Sequence, residues 1–311
     1  VATDDQGSLV MSTLLLAHYY APIEVQRIAD YVGDSLELAN IAEEEQADRI
    51  VFAGVRFMAE TAKVLSPNAE VILPDWNSTC SLVEQTDIGD LTKWREEHAD
   101  HTHVMYINSS VEQKALADWI VTSRNVEPIV SHLLDKGDKV MFSPDRNMGD
   151  YLNQKLGKDM PVWSAVCEVH DQFNSERLNE LFKLNEPWKS FLISHPESPL
   201  AILNMSDHVS STKGMLQWID AYNGLQDAHI YVATENELIT IMREMRPELN
   251  IQQVPVHDGC RCTTCPYMKL NTLQRVQDAM DGKAGVVIDY ITDEQIEKVR
   301  VPIKRMVDFS S

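Results

Sequence analysis

Three of the five cysteines fall in one short stretch, VHDGCRCTTCPYM at residues 256–268, and the other two, Cys80 and Cys167, stand far from it. Thiolates are soft ligands that suit zinc, copper(I) or iron–sulfur groups. Two metal-binding arrangements compete. In the first, His257, Cys260, Cys262 and Cys265 form H-x2-C-x-C-x2-C around a structural zinc, although one residue between Cys260 and Cys262 is a tight gap for two ligands of a tetrahedral ion. In the second, Cys80, Cys167 and Cys265, spaced 87 and 98 residues apart, converge from separate parts of the chain. Each follows what reads as the last strand of a unit: ILPDWNSTC, VWSAVC and QQVPVHDGCRCTTC. Iron–sulfur clusters usually take four cysteines. Three leave one iron with an open position, which is what a Lewis-acid catalyst needs. The third alternative is that the thiols bind nothing and pack as small apolar residues.

Other residues fall at positions suited to anions and protons. Ser35 in GDSLELA, Ser123 in VTSRNVE, and Ser211 and Thr212 in VSSTKGM sit where predicted helices begin. Unpaired N–H groups and a partial positive charge at a helix start favour phosphate or carboxylate, and the same residue types serve as ordinary N-caps. His18 and Tyr20, Tyr106 and Asn108, and His195 and Glu197 form pairs two residues apart at strand ends, where such pairs share a face. A histidine shuttles protons near neutral pH and a tyrosine can donate to a developing enolate. Glu197 needs its pKa raised by burial to act as a base near pH 7. Tyr19, pointing away from His18 and Tyr20, is expected in the core. Asp145, Arg146 and Asn147 are expected to position a loop. His98, His101 and His103 look like a metal cluster but lie in an acidic stretch, where solvated histidines are expected.

The elements that must carry these residues alternate. Strand-like runs are Leu14–Tyr19, Arg49–Gly54, Ala69–Pro74, His103–Asn108, Lys139–Ser143, Val162–Val166, Phe191–His195, Ile230–Thr234 and Ile251–Val256. Helix-like stretches include Ile23–Val32, Arg56–Leu65, Glu176–Leu184, Glu237–Met245 and a last one, Thr292–Phe309, interrupted by Pro302. Such alternation predicts an α/β fold with parallel sheets covered by helices. A long period is also present. His18, Tyr106 and His195 are 88 and 89 residues apart; Ser35, Ser123 and Ser211 are 88 and 88 apart; Gly54, Pro144 and Thr234 are 90 and 90 apart. Together with the cysteines, these sets predict three similar α/β/α domains with short parallel sheets, packed around a pseudo-threefold axis. Ligands of open α/β sheets sit beyond the carboxyl ends of the strands, so three such edges facing one axis would make one central site. The expected units are 1–85, 86–172 and 173–265, with 266–311 a C-terminal helical segment packing back on the core.

Composition bounds the function. The 311-residue chain carries 27 Lys and Arg against 48 Asp and Glu, a formal charge of −21. That opposes binding to nucleic acid and to anionic membranes. An anionic ligand must find its positive potential in helix ends, a metal or a few histidines. No apolar run is long enough to span a bilayer and no secretion signal is visible. Five thinly spread cysteines fit a reducing cytoplasm.

Taken in order, AHYY (17–20), VGDSLELA (32–39), GVRFMAETAKVLSP (54–67), the Cys80 loop after LPD, MYINSS (105–110), KALADWIVTS (114–123), SPDRNMGDYL (143–152), AVCEVHDQF (165–173), SHPES (194–198), SSTKGM (210–215), VATE (232–235) and CTTCPYMKLNTL (262–273) resemble the quinolinate synthase family through nearly the whole chain. The resemblance implies three α/β/α domains around a pseudo-threefold axis. It implies condensation of iminoaspartate with dihydroxyacetone phosphate to quinolinate, with loss of phosphate and two waters, in NAD biosynthesis. It implies a [4Fe-4S] cluster with three Cys ligands, Cys80, Cys167 and Cys265, and one open iron; Cys260 and Cys262 would be spectators. His18 and Tyr20 would serve near the triose phosphate and in isomerisation and dehydration. Tyr106 and Asn108 would lie beside cluster and substrate, His170 and His195 would contact substrate, and Glu197 would be the general base. Ser35, Ser123, Ser211 and Thr212 would bind anions. A transient hand-over from an L-aspartate oxidase is a further implied contact. The chain departs from the family in having C-x-C-x2-C where C-x2-C-x2-C is usual, and Ser210 where a glycine commonly precedes the Ser-Thr pair.

Overall fold

The computed structural model describes residues 12–185, 189–225, 227–257 and 263–310. Cys260 and Cys262 lie outside the described residues. Four parallel strands open the chain: β1 (Thr13–His18), β2 (Tyr31–Gly33), β3 (Arg49–Ala53) and β4 (Glu70–Leu73). They pair in the order β4-β3-β1-β2. The second sheet holds β5 (Thr102–Tyr106), β6 (Trp119–Val121) and β7 (Val140–Ser143) in the order β7-β5-β6. Beyond β7 the expected strand at Val162–Val166 is reduced to a single parallel bridge, Phe142 to Val162. The third sheet holds β8 (Ser190–Ser194), β9 (His208–Val209), β10 (His229–Ala233) and β11 (Asn250–Gln253), ordered β11-β10-β8-β9. The same order, fourth–third–first–second, thus recurs three times.

The central strands read TLLLAH and RIVFA and bury nearly every side chain, as strands covered by helices on both faces must. The edge strands β2, β6 and β9 are not expected from apolar runs, being too short to show a pattern. A repeated aspartate fixes each of them. Asp30 donates its N–H to the Leu15 carbonyl at 3.0 Å and accepts the Leu15 N–H at 2.7 Å. Asp118 does the same with His103, at 2.9 and 2.8 Å, and Asp207 with Leu192, at 2.8 and 2.8 Å. Those aspartates are 88 and 89 residues apart, in ADYV, ADWI and SDHV. Each clips the chain against the first strand of its unit. The expected helix over Ile23–Val32 therefore stops at Gln26, and Tyr31–Gly33 becomes strand.

The C-terminal segment packs back on the first two sheets. Strand β12 (Val286–Val287) pairs antiparallel with β4. Helix Asp293–Ser310 runs through Pro302 without a break. Its buried residues Ile296, Val299, Ile303 and Met306 repeat at helical spacing, and that packing outweighs the one backbone bond that Pro302 cannot make. Arg300 reaches the Val64 carbonyl at 2.8 Å and Arg305 the Asp118 carbonyl at 2.6 Å, tying the helix to two units. A buried lysine joins the same two units: Lys114 Nζ donates to Thr61 Oγ1 at 3.1 Å and to the Ser109 carbonyl at 2.7 Å. Among the described residues no helix is long and apolar enough to cross a membrane.

Candidate functional site

The three described cysteines are built into equivalent loops. After the third strand of each unit a helix begins: Arg56–Leu65, Arg146–Leu156 and Asn236–Met245. The first N–H of each helix donates to the carbonyl two residues before the cysteine. The pairs are Arg56 to Ser78 at 2.7 Å, Arg146 to Ala165 at 2.8 Å and Asn236 to Thr263 at 2.9 Å. Each cysteine then leads into a short helical turn, at Ser81–Glu84, His170–Gln172 and Met268–Leu270. The sulfurs accept N–H groups of those turns: Leu82 and Val83 for Cys80, His170 for Cys167, Tyr267 and Met268 for Cys265.

Cys80, Cys167 and Cys265 line one cavity at the carboxyl ends of the three sheets. Burial pushes the thiols up, Cys265 to about 12 and Cys80 and Cys167 well above the ordinary thiol range; Glu197 and the neighbouring sulfurs add to the rise at Cys80 and Cys167, and Glu235 and Glu168 at Cys265. Protons held this firmly leave only in exchange for strong positive charge. Three convergent soft donors of that kind fit a multi-iron group or another thiophilic metal. His257, the remaining described member of the local zinc arrangement with Cys265, pairs instead with Asn174 Nδ2 at 3.0 Å.

Beside the thiols lies a continuous chain of polar side chains. Tyr106 donates to Glu197 Oε1 at 2.7 Å, and His170 Nδ1 meets Glu197 Oε2 at 2.9 Å. His170 Nε2 is 3.3 Å from Thr234 Oγ1, which is 2.9 Å from the Tyr20 hydroxyl. Five side chains, Tyr20–Thr234–His170–Glu197–Tyr106, thereby connect all three units. Cys167 Sγ, His170 Nδ1 and a Glu197 oxygen lie within 4.8 Å of one another. His195 stacks on His170 with centroids 4.7 Å apart, and its Nδ1 accepts the Glu197 N–H at 3.4 Å.

The charge states follow from burial and partners. Burial pushes Glu197 up, but attraction to His195 and His170 and the bonds from His170 and Tyr106 outweigh it and hold the carboxyl well below the usual range. The expected upward shift is therefore reversed, because the donors around the carboxylate win over desolvation. Burial draws His18 down to about 4 and His195 to about 3, against the pull of Glu197. Both rings are neutral near pH 7. The Tyr20 N–H donates to His18 Nδ1 at 3.1 Å, so the neutral ring carries its proton on Nε2. Burial and Glu197 raise Tyr20 and Tyr106 well above the ordinary phenol range, keeping both hydroxyls as donors.

The anion-binding candidates divide. Ser35, Ser123, Asn108 and Thr212 line the cavity. Ser35 is the first residue of its helix, Ser35–Glu45, whose cap is Asp34. Ser123 lies in a turn ahead of helix Val126–Asp135 rather than at its start, and its hydroxyl bonds Tyr106. Ser211 does not line the cavity: its hydroxyl caps helix Thr212–Ala221 by accepting the Gly214 N–H at 3.2 Å. Ser210 fills the space over Gly214 that a β-carbon would occupy. Lys213 pairs with Glu37, across from the first unit to the third. Tyr19 is half-buried, packing against the apolar core of the third unit while its hydroxyl reaches Glu37 Oε2 at 3.4 Å. One other expectation fails. His103 is fully buried in β5, bonding Ser143 Oγ at 2.6 Å and the Leu116 carbonyl at 3.0 Å, because the strand begins at Thr102. The sequence reading assigned no role to Thr234 or Glu235, both fully buried at the site. Their counterparts in the first unit, Gly54 and Val55, carry no polar side chain, but Asp145, 90 residues before Glu235, does and is the signal that could have flagged it.

Three α/β units of one topology, with thiols and proton-carrying groups gathered where their strands end, define a multi-unit α/β enzyme with its site on the internal axis. Comparison with known proteins narrows this. The family described as Quinolinate synthetase A protein matches residues 8–308. Curated proteins called "Quinolinate synthase" from Microcystis aeruginosa and Synechocystis sp. are each 38% identical over 300 residues, covering 96% of this chain and 92% of theirs. One from Prochlorococcus marinus is 38% identical over 299 residues, covering 96% of this chain and 87% of its own. The chain belongs to the quinolinate synthase A family.

Proposed function

We propose that this chain condenses iminoaspartate with dihydroxyacetone phosphate to give quinolinate, phosphate and two waters, as a cytoplasmic step of NAD biosynthesis. The atoms balance with no external oxidant or reductant, so the chemistry asks for acid, base and electrophilic help only. Cys80, Cys167 and Cys265 would hold a [4Fe-4S] cluster. The donor set supports this: three soft ligands, one from each unit, with no fourth cysteine at the cavity among the described residues. When bound, such a cluster supplies a Lewis-acidic iron with an open position.

The protein's own groups do the rest. Glu197, ionised and held by Tyr106 and His170, takes the proton from the substrate carbon that attacks; a carboxylate held this low is a weak base, so it hands the proton on to His170. The relay through His170 and Thr234 to Tyr20 carries protons between condensation and dehydration. His18, protonated on Nε2, donates to oxygen beside the triose phosphate. His170, His195 and Asn108 hold substrate carboxylates. Ser35, Ser123 and Thr212 bind anions at N–H-rich turns, with Ser211 acting through the helix it caps. These uncharged donors let a chain of charge −21 hold polyanions. The imine is hydrolytically labile, so direct supply by an L-aspartate oxidase belongs to the same proposal.

The observation that carries the reading is the shared cavity of three thiols and the Glu197 relay. Its test is quinolinate formation under anaerobic conditions from both substrates, comparing the chain with Glu197→Gln. The variant should keep its visible absorption and lose about 10²–10⁴-fold in rate. No product from the unaltered, iron-loaded chain would refute the assignment.

A further inference from the structure

We propose that Asp145 and Glu235 are positioning residues that clamp the loops of Cys167 and Cys265, while the loop of Cys80 is held by other means. The inference rests on the proposed cluster ligation. Asp145 and Glu235 occupy the N-cap of the helix that follows the third strand of their units. Both are fully buried. Each divides its two oxygens between two tasks. Asp145 Oδ1 caps the helix, accepting the Met148 N–H at 2.9 Å, and Oδ2 accepts the N–H of Cys167 at 3.0 Å. Glu235 Oε2 accepts the Glu237 N–H and Oε1 the N–H of Cys265, at 2.6 and 3.2 Å.

The repeat makes the pattern more than coincidence. Asp145 and Glu235 are 90 residues apart, and the third equivalent position is Val55, 90 residues before Asp145. Valine offers no acceptor. In that unit Ser78, two residues before Cys80, is tied down instead: its hydroxyl donates to the Gly54 carbonyl at 2.6 Å and accepts Asn271 Nδ2 at 3.2 Å. Two cysteines are thus fixed by a side-chain carboxyl oxygen on their own N–H, and the third by an amide from the C-terminal segment. A backbone bond on the ligand residue itself sets the direction from which the sulfur enters the cavity. Outer contacts of this kind orient ligands and tune the metal they hold.

Serine caps a helix but is too short to reach the cysteine N–H, so it separates the two tasks. The experiment loads the full chain with iron and sulfide anaerobically and compares it with Asp145→Ser and Glu235→Ser. Iron release to a chelator and the visible circular dichroism of the cluster bands are followed. Ile129→Val, a buried truncation remote from the loops, is the stability control. Both serine variants should release iron about fivefold faster, as expected for one lost buried hydrogen bond, and show altered cluster dichroism. The control should do neither. Should a serine variant fail to fold, Asp145→Asn and Glu235→Gln replace it; one acceptor oxygen for two donors should still speed release by about threefold. Variants indistinguishable from the unaltered chain would overturn the clamp alone. An unaltered chain that takes up no cluster would overturn the cofactor reading beneath it.

Discussion

Replacing Tyr106 by Phe removes a single hydroxyl, and the effect can be worked from the bond it makes. That hydroxyl donates to Glu197 Oε1 at 2.7 Å, with Glu197 only 3% exposed. A hydrogen bond to a buried charge contributes about 1.5–3 kcal/mol. At about 1.4 kcal/mol per pKa unit, its loss should lift the Glu197 carboxyl by about one to two units. In the native fold that carboxyl lies below its ordinary 4.5, because attraction to His195 and His170 and the two donated bonds outweigh burial. A depressed carboxylate contributes stability that is present above its unfolded pKa and lost as pH falls through its folded one. The variant should therefore be less stable by about 1.5–3 kcal/mol at neutral pH; the unfolded pKa is common to both proteins, so the deficit should persist below about 4.5 and shrink only as pH falls through the variant's own folded pKa. The acid limb of kcat/KM should move up by about one to two units, separately from any fall in the maximum. Denaturant unfolding across pH and pH–rate profiles of the iron-loaded enzyme measure the two effects. An acid limb that stays in place, together with no stability deficit at neutral pH, would refute the account of Glu197 as a carboxylate held ionised by Tyr106.

Lys114 is drawn down to about 8 by burial, against the opposing pull of Glu60, Cys80 and Glu112. Its folded pKa lies below its unfolded one, so the buried cation costs stability below pH 8 and the cost is relieved as pH rises from about 8 towards 10.5. The unaltered chain should gain up to about 3 kcal/mol over Lys114→Met in that window, read by denaturant unfolding; parallel curves would contradict it. Asn271 is fully buried and donates to the Gly54 carbonyl, Ser78 Oγ and the Met268 carbonyl at 2.8, 3.2 and 3.1 Å. Asn271→Ala should cost about 1–3 kcal/mol in unfolding free energy, and a change well under 1 kcal/mol would show that these bonds do not hold the Cys80 loop.

The sequence makes the skeleton of the fold visible because central parallel strands are continuous apolar runs. Strands β1, β3, β5, β8 and β10 fall within a residue or so of where their hydrophobicity ends. The edge strands stayed hidden because two or three residues carry no period, yet Asp30, Asp118 and Asp207 marked them at the same spacing as the serines. The residues gathered at the cavity were legible through the long period and the family motifs, since both place side chains at strand ends. Electrostatics was only partly legible: Glu197 is held low by His195 from its own motif and also by His170 and Tyr106, which arrive from the second unit. Ser211 illustrates the same limit. Its type suits both a cap and an anion contact, and only the fold shows its oxygen accepting the Gly214 N–H, a cap that does not use the hydroxyl proton.

The central claim is that three remote thiols hold one cluster, and metal analysis of Cys80→Ser tests it most directly. Prepared anaerobically with iron and sulfide, the unaltered chain should hold roughly four of each and be brown. Cys80→Ser should remain folded and lose most of that iron and its visible absorption. Full metal content in Cys80→Ser, or zinc in place of iron in both proteins, would contradict the account and point to the stretch around Cys265 as a self-contained site.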